Sequence, residues 1–409
     1  MISSENLNLD AITIRFTAFT MDTKNMGFNT ICTHLGEIKD EQFKGAISPI
    51  YMSTSYAFED VDVKRYPRYF NTPNQEALCK KIAKLEKGES SLIFGSGMAA
   101  ISTTLFAFLQ KGDHIVLQRT LYGGTANLIN EEFEKHGIEF SYVDAHTPEG
   151  FKQKIQPNTK VIYIETPSNP LLTIIDIKPI AALAKENNIV TIIDNTFASP
   201  VNQNPILLGI DIVIHSATKY LGGHSDILAG AVISTEKNID QVFQVAKNFG
   251  GSLSDFTVWM LERSIKTLGI RVQRQNKNAL KLAKWLKKHE DIATVYYPGL
   301  KSHPDHEIAK KQMTGYGGML SFELKEGLDA SKFQKELKLI KSSMSLAGVE
   351  STMLSPTLTS HALLTEEERN LQGIKDGLLR FSVGIEEKED LMQDIQQAIE
   401  KVKVPELEH

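Results

Sequence analysis

Only two cysteines, Cys32 and Cys79, occur in 409 residues, too few for a disulfide framework and without the C-x-x-C spacing of a zinc or thiol-redox site. Both are expected to be ordinary buried thiols in a reducing compartment. Long hydrophobic runs are also lacking. Ile227 to Ile233 falls well short of the roughly 18 residues needed to span a bilayer, so no membrane segment is expected. Nor is there an excess of positive charge: 45 lysines and arginines face 50 acids, a net charge of −5 with both signs interspersed. No basic face is available to neutralise a run of phosphates, so nucleic acid is not an expected partner. Residues 1 to 20 set Glu5 and Asp10 against a single Arg15 with no apolar core, so no leader is expected and the protein is read as cytoplasmic. The terminal Leu407-Glu408-His409 resembles the start of an expression tag and is set aside. No internal repeat or low-complexity tract is found.

What is present is a globular composition, 41% hydrophobic with 27 glycines, of a length that suggests two or three domains. From about residue 75 to 235, helical segments alternate with short β-branched runs, the pattern of an α/β protein with a mostly parallel sheet covered by helices. Strands are expected at His114–Gln118, Lys160–Ile164, Ile189–Asp194 and Asp211–Ser216, and helices at 74–86, 97–109, 123–136 and 179–186. The strands read as near-continuous apolar runs, as strands buried on both faces should. After about residue 255 a long charged amphipathic helix (268–289) and shorter strands suggest a smaller α+β domain. The first 70 residues hold few regular periods and read as an arm that needs a partner surface. The expected division is therefore 1–70 arm, 71–264 large domain and 265–409 C-terminal domain.

Two of the strands end in reactive residues. Asp194 closes one, and Ser216-Ala-Thr-Lys219 follows another; functional groups of open α/β sheets gather beyond the carboxyl ends of strands, so both can face one crevice. Alone, each is equally a solvated lysine or a capping acid. A third element is Ser91-Leu-Ile-Phe-Gly-Ser-Gly-Met98, which leads from a short strand through a glycine turn into an Ala-rich helix, a geometry that offers backbone N–H groups to an anion. It is neither a Walker loop nor a G-x-G-x-x-G fingerprint, since position 100 is alanine. A phosphate there would also be in reach of the Ser216 and Thr218 hydroxyls. Phosphate cradle, buried acid and strand-end lysine together match the needs of pyridoxal phosphate: a Schiff-base lysine, a carboxylate for the ring nitrogen and a phosphate anchor. Tyr122 is a candidate for stacking on the ring, with plain packing as the alternative.

The segment Ser216-Ala-Thr-Lys-Tyr-Leu-Gly-Gly-His-Ser-Asp226 resembles the lysine signature of the Cys/Met-metabolism (transsulfuration) pyridoxal-phosphate (PLP) enzymes, and the likeness runs from about Asn29 to Glu400. That resemblance implies the fold type I architecture of PLP-dependent transferases, with a seven-stranded-type sheet, and a homotetramer built as a dimer of dimers with shared active sites. It implies that Lys219 carries the cofactor, that Asp194 pairs with its ring nitrogen, and that Gly97 and Met98 hold the phosphate with Ser216 and Thr218. Tyr66 and Arg68, in Tyr-Pro-Arg, would reach the phosphate of the neighbouring subunit. Asn169, in Glu165-Thr-Pro-Ser-Asn169, would bond the phenolic oxygen, Tyr122 would stack and assist leaving-group protonation, and Arg380 with Ser345 would hold the substrate carboxylate. Independently of family, an arginine interrupting an apolar strand needs an anion, either an internal acid or an incoming carboxylate.

The implied reaction is α,γ-elimination from a sulfur amino acid, releasing a 2-oxo acid, ammonia and a thiol. Met344 stands where cystathionine-handling relatives carry a glutamate, and Gly124 where typical methionine γ-lyases carry a cysteine. These departures point opposite ways, leaving methionine against cystathionine open, with γ-replacement by a cystathionine γ-synthase or O-acylhomoserine sulfhydrylase as the alternative. A non-catalytic scaffold would be expected to have lost Lys219, Asp194 or Arg380, and a nicotinamide dehydrogenase would leave Lys219 unexplained. His303-Pro-Asp-His306 has ligand-like spacing but reads as an exposed structural turn, so no metal site is expected. Thr365 and Glu366 read as the cap and opening of a solvated helix.

Overall fold

The computed structural model describes residues 26–359, 367, 369 and 373–403. The leader, helix-opening and tag expectations at residues 1–20, Thr365, Glu366 and 407–409 lie outside the described residues.

Strands β1 (Ser90–Phe94), β2 (His114–Gln118), β3 (Glu139–Val143), β4 (Thr159–Glu165), β5 (Val190–Asp194), β6 (Ile212–His215) and β7 (Gly230–Ser234) form one sheet in the order β1-β7-β6-β5-β4-β2-β3. The ladders joining β3, β2, β4, β5 and β6 are all parallel; β7 pairs antiparallel with both β6 and β1. This is the expected seven-stranded, mostly parallel sheet. Helices cover both faces, and apolar residues fill a core on each side of it. A second sheet follows in the order β10-β11-β12-β9-β8, from β8 (Ile292–Tyr296), β9 (Met319–Leu324), β10 (Lys341–Ser342), β11 (Thr352–Leu354) and β12 (Leu378–Ser382). The helix Leu268–Leu286 joins the two layers: Leu268 and Val272 sink into the large core, while Leu282, Ala283 and Leu286 sink into the small one.

The helix before the functional crevice is tightly specified. Pro73–Leu85 opens with a capping box in which the Thr72 hydroxyl accepts from the Gln75 N–H and the Gln75 side chain accepts from the Thr72 N–H. By contrast, the helix expected over 123–136 is broken. It runs Gly123–Leu128, widens into a π turn at Ile129–Phe133, tightens at Glu134–His136 and stops at Gly137 in the left-handed conformation. The wider turn lets Ile129 and Phe133 both bury completely in the core. The His303 to His306 turn is likewise not exposed as expected. His303 is buried, its Nδ1 accepting from the Asp305 N–H, and the His306 ring bonds the Pro298 carbonyl. Cys32 and Cys79 are buried thiols, each pushed up by loss of solvent, Cys32 to about 11 and Cys79 to about 12.

Within the segment read as an arm, the helix Phe28–His34 packs Ile31 and Cys32 into the chain's own core. A buried cation helps to tie it down. Lys81, fully buried, donates to the Cys32 carbonyl at 3.1 Å and lies 3.6 Å from Glu262 Oε1, which also accepts from the Ser48 hydroxyl. The second oxygen, Glu262 Oε2, is buried without a partner, so the carboxylate depends on Lys81. Lys81→Met is expected to cost about 3–5 kcal/mol, because it leaves a buried charge uncompensated, and Glu262→Leu on top should restore much of it. Urea unfolding measures both; a single-variant loss below about 1 kcal/mol would show the pair to be dispensable.

Candidate functional site

The parallel strands deliver their carboxyl ends to one edge of the sheet, and the predicted residues gather there. β1 ends at Phe94, and the chain turns through Gly95 and Ser96 into the helix Gly97–Phe108, whose Ser96 hydroxyl caps the Ala99 N–H at 3.0 Å. Gly97 and Met98 therefore stand in the first turn, where a helix has no internal partner for its N–H groups. Ser216, just past β6, closes the other wall: a Cβ at Gly97 would lie 2.9 Å from Ser216 Cβ and 3.0 Å from Ser216 Oγ. Only glycine permits that approach. Thr218 is adjacent, but its hydroxyl already donates to the Ala229 carbonyl at 3.1 Å and accepts from the Ala229 N–H at 3.0 Å. It can give an anion only what that double bond to the backbone leaves over.

Asp194 ends β5 and is buried, held by the Thr196 N–H at 2.9 Å. Among the described residues no lysine or arginine pairs with it. Loss of solvent pushes its carboxyl up, against the hydrogen bonds from Thr196 and the pull of His215. Directly opposite in the β4–β5 register is Glu165, also buried and pushed up by burial and by the charge of Asp194. Two carboxyl groups at neighbouring strand ends, with no lysine or arginine paired to them among the described residues, are suited to a cation from outside the chain.

The cationic groups face them from the other wall. Lys219 Nζ donates to Ser345 Oγ at 2.7 Å. Arg380, buried on β12, donates through one terminal nitrogen to Asn169 Oδ1 at 3.1 Å and through the other to the Ser345 carbonyl at 2.9 Å. Its Nε is buried with no partner. Among the described residues no acid pairs with Arg380. Burial brings Arg380 down to about 10, and burial together with the Arg380 charge brings Lys219 down to about 8. Ser345 thus touches both cations, in a left-handed backbone conformation (φ 80°) repeated at Ala347 (φ 66°). The strain is held by neighbours: the Ala347 N–H donates to Ser382 Oγ at 2.7 Å and Gln275 Nε2 to the Gly348 carbonyl at 2.8 Å.

Tyr122 follows β2 and is half exposed. Its ring lies over Gly124 beside Met98: a Cβ at residue 124 would stand 2.6 Å from Tyr122 Cε1 and 3.0 Å from Met98 Sδ. Hence the tyrosine and the phosphate cradle are neighbours. Tyr66 and Arg68 are not brought into this crevice by their own chain. Arg68 bonds the Lys247 carbonyl and lies over the Tyr66 and Tyr69 rings. Sequence reasoning missed Glu165 as a residue in its own right, and also Gln275, Ser382 and Arg271. Arg271, buried and with no carboxylate partner among the described residues, binds the carbonyls of Tyr220 and Leu221 in the turn after Lys219 and that of Ser264 in the helix Asp255–Ile265. Among these only Glu165 carried a signal, its place at the end of an apolar strand.

The residues fit pyridoxal phosphate. A buried acid awaits a protonated ring nitrogen, a glycine cradle stands where a phosphate would sit, and an orphaned guanidinium nitrogen waits for an anion.

Comparison with known proteins agrees. Residues 29–400 match the family described as Cys/Met metabolism PLP-dependent enzyme. The L-methionine gamma-lyase of Fusobacterium nucleatum subsp. nucleatum is 41% identical over 398 residues, covering 93% of this chain and 100% of that protein. The cystathionine gamma-lyase of Bacillus subtilis (strain 168) is 43% identical (91% and 99% covered), and the cystathionine beta-lyase of Lactococcus lactis subsp. cremoris 44% (90% and 97%). Among solved structures, cystathionine gamma-lyase from Lactobacillus plantarum complexed with L-serine superposes with a TM-score of 0.89 at 38% identity, covering 92% of this chain and 100% of that one.

The lowered basicity of Lys219 can be measured directly. In cofactor-free protein, an amine-acylating reagent followed by peptide mapping should label Lys219 with a midpoint near about 8, while surface lysines follow the usual value of about 10.4. Labelling of Lys219 in step with the surface lysines would disprove the dry, cation-flanked environment.

Proposed function

The chain belongs to the Cys/Met metabolism PLP-dependent enzyme family, and from that premise we propose that it cleaves a sulfur amino acid, methionine or cystathionine, by α,γ-elimination. It is a pyridoxal-phosphate-dependent carbon–sulfur lyase of sulfur amino acids. The observation that carries the finer reading is the placement of Lys219 and Arg380 on either side of Ser345: a proton-carrying amine is held beside a buried guanidinium that has no carboxylate partner among the described residues. An amino acid whose carboxylate engages Arg380 is thereby oriented toward Lys219.

Gly97, Met98 and Ser216 would hold the phosphate, Asp194 the ring nitrogen, Asn169 the phenolic oxygen and Lys219 the aldehyde carbon. The bound cofactor supplies an electron sink for charge that develops at Cα. The protein's share is binding and proton transfer. Arg380 fixes the substrate carboxylate in a two-pronged pair. Lys219 Nζ, neutral in a large fraction near pH 8, would take the Cα proton, shed it toward the cofactor and then take a proton from Cβ, so that the electron pair left at Cβ expels the sulfur from Cγ. Tyr122 OH, at the open side of the crevice, protonates the departing sulfur. Met344, exposed beside Ser345, offers a thioether where a distal ammonium would want a carboxylate, which favours methionine. Gly124 does not argue against this, because the Tyr122 ring fills the space a side chain there would take.

We further infer that the active unit is a homodimer within a homotetramer. Phe43, Met52 and Phe58, between the first helix and Tyr66, are 79%, 70% and 69% exposed. Apolar side chains bared in series mark an interface, and a second copy covering them would bring Tyr66 and Arg68 to the neighbouring phosphate cradle.

Purified holoenzyme given methionine is expected to release 2-oxobutanoate, ammonia and methanethiol, and Lys219→Ala to abolish this. Pyruvate from cystathionine would indicate β-elimination instead, the activity named for the Lactococcus relative, and product formation only with an added thiol would indicate γ-replacement. Arg68→Ala should lose cofactor, and mixing it with Lys219→Ala should restore part of the activity, because one site in the hybrid keeps both residues. Mixtures no more active than their components would refute the shared site.

A further inference from the structure

Glu165 takes part in none of the proton transfers above, yet a carboxylate is kept almost dry at the end of β4. Removing a carboxylate from water is costly unless hydrogen bonds replace its hydration, so its partners define its purpose. The backbone is fixed first. Gln118, at the end of the adjacent β2, accepts from the Glu165 N–H at 2.8 Å and donates Nε2 to the Glu165 carbonyl at 2.8 Å. The side chain then turns along the strand ends, and Oε2 accepts the Tyr122 backbone N–H at 2.9 Å.

Tyr122 needs such an anchor. Its side chain is half exposed, so packing does little to hold it. On its other side the Tyr122 carbonyl accepts from the Thr125 and Ala126 N–H groups at 2.9 and 3.1 Å. With its N–H taken by Glu165 and its carbonyl by the following turn, the residue is gripped at both ends. The direction of its ring over Gly124 follows from that grip. An acceptor suits the task because the Tyr122 N–H, at the start of the helix Gly123–Leu128, has no partner within that helix.

We propose that Glu165 is the positioning residue of the site, its side chain clamping the Tyr122 backbone so that the tyrosine ring meets the cofactor. This deepens the functional reading above and rests on it. Glu165 acts through Tyr122. It is not a catalytic residue.

Holoenzyme variants test the clamp. Glu165→Ala is expected to lower kcat about 100-fold with KM nearly unchanged, the cost of misplacing a group by about 1 Å. Glu165→Gln, which keeps one acceptor oxygen, should lie between Glu165→Ala and the native enzyme. In a Tyr122→Ala background, Glu165→Ala should cost no more than about twofold further, since the residue it positions is gone. The visible circular dichroism of the bound cofactor should weaken in Glu165→Ala and be partly restored in Glu165→Gln. Equal losses in both backgrounds, or a Glu165→Ala enzyme with native kcat and dichroism, would overturn the proposal. Should Glu165→Ala fail to fold, hydrogen exchange on the native holoenzyme decides: the Tyr122 amide must be protected, and an amide exchanging at the rate of an open loop refutes the clamp. Native protein with no visible cofactor band would overturn the functional reading, and this inference with it; a native band with an indifferent Glu165 overturns this inference alone.

Discussion

Charge separation at the carboxyl ends of the sheet organises this protein. Asp194 and Glu165 lie opposite each other at the ends of two hydrogen-bonded parallel strands, buried and, among the described residues, without a lysine or arginine paired to them. Lys219 and Arg380 lie on the other wall, each made less basic by burial, and Lys219 further by the charge of Arg380. Neither pair neutralises the other, and each keeps its cost of desolvation unrepaid within the chain. A ligand with a cationic ring nitrogen at one end and an amino-acid carboxylate at the other would relieve both. Such a complementarity would be the electrostatic preorganisation that the proposed chemistry calls for.

The two layers meet in the crevice through Arg380 on Asn169 and through one short segment. Ser345 to Gly348 belongs to the smaller layer, but its Ser345 side chain receives the Lys219 amine from the larger one, and its carbonyl receives Arg380. The Val349 N–H donates to the Gly223 carbonyl, just after the lysine turn. Two residues in left-handed backbone conformations are stable here because the surrounding hydrogen bonds over-determine them. Arg271 holds the same lysine turn from below, through carbonyls alone; a Cβ at Gly223 would stand 1.9 Å from its guanidinium, which explains the glycine and its φ of 68°. Lysine, serine and arginine are thus set by backbone contacts that no local motif announces.

Much of the site was nonetheless legible, for a specific reason. In a parallel sheet the strands are apolar throughout, so a charged or hydroxyl residue at a strand end stands out against its background. That is how Asp194, the Ser216-to-Lys219 turn and the Gly97 turn could be found, and the same contrast exposed Arg380 within β12. The π turn after Leu128 was not legible, because its residues keep a helical apolar spacing whichever way the turn is wound. The burial of His303 was missed for a similar reason: proline and aspartate beside it suggest a surface turn, and its enclosure is a matter of tertiary packing that local residue types do not announce.

The amino-acid order alone settled the architecture and the chemical inventory, since periodicity dictates strands and helices and only certain residue types can carry a Schiff base, bind a phosphate or pair with a ring nitrogen. Tertiary structure decided who meets whom. Glu165 lies 43 residues from Tyr122 and Ser345 lies 126 from Lys219, separations bridged only by the order in which strands are laid into the sheet. The same packing withheld solvent from Asp194, Lys219 and Arg380, and their unusual acidities arise from that exclusion, a property of surroundings that a linear chain does not possess.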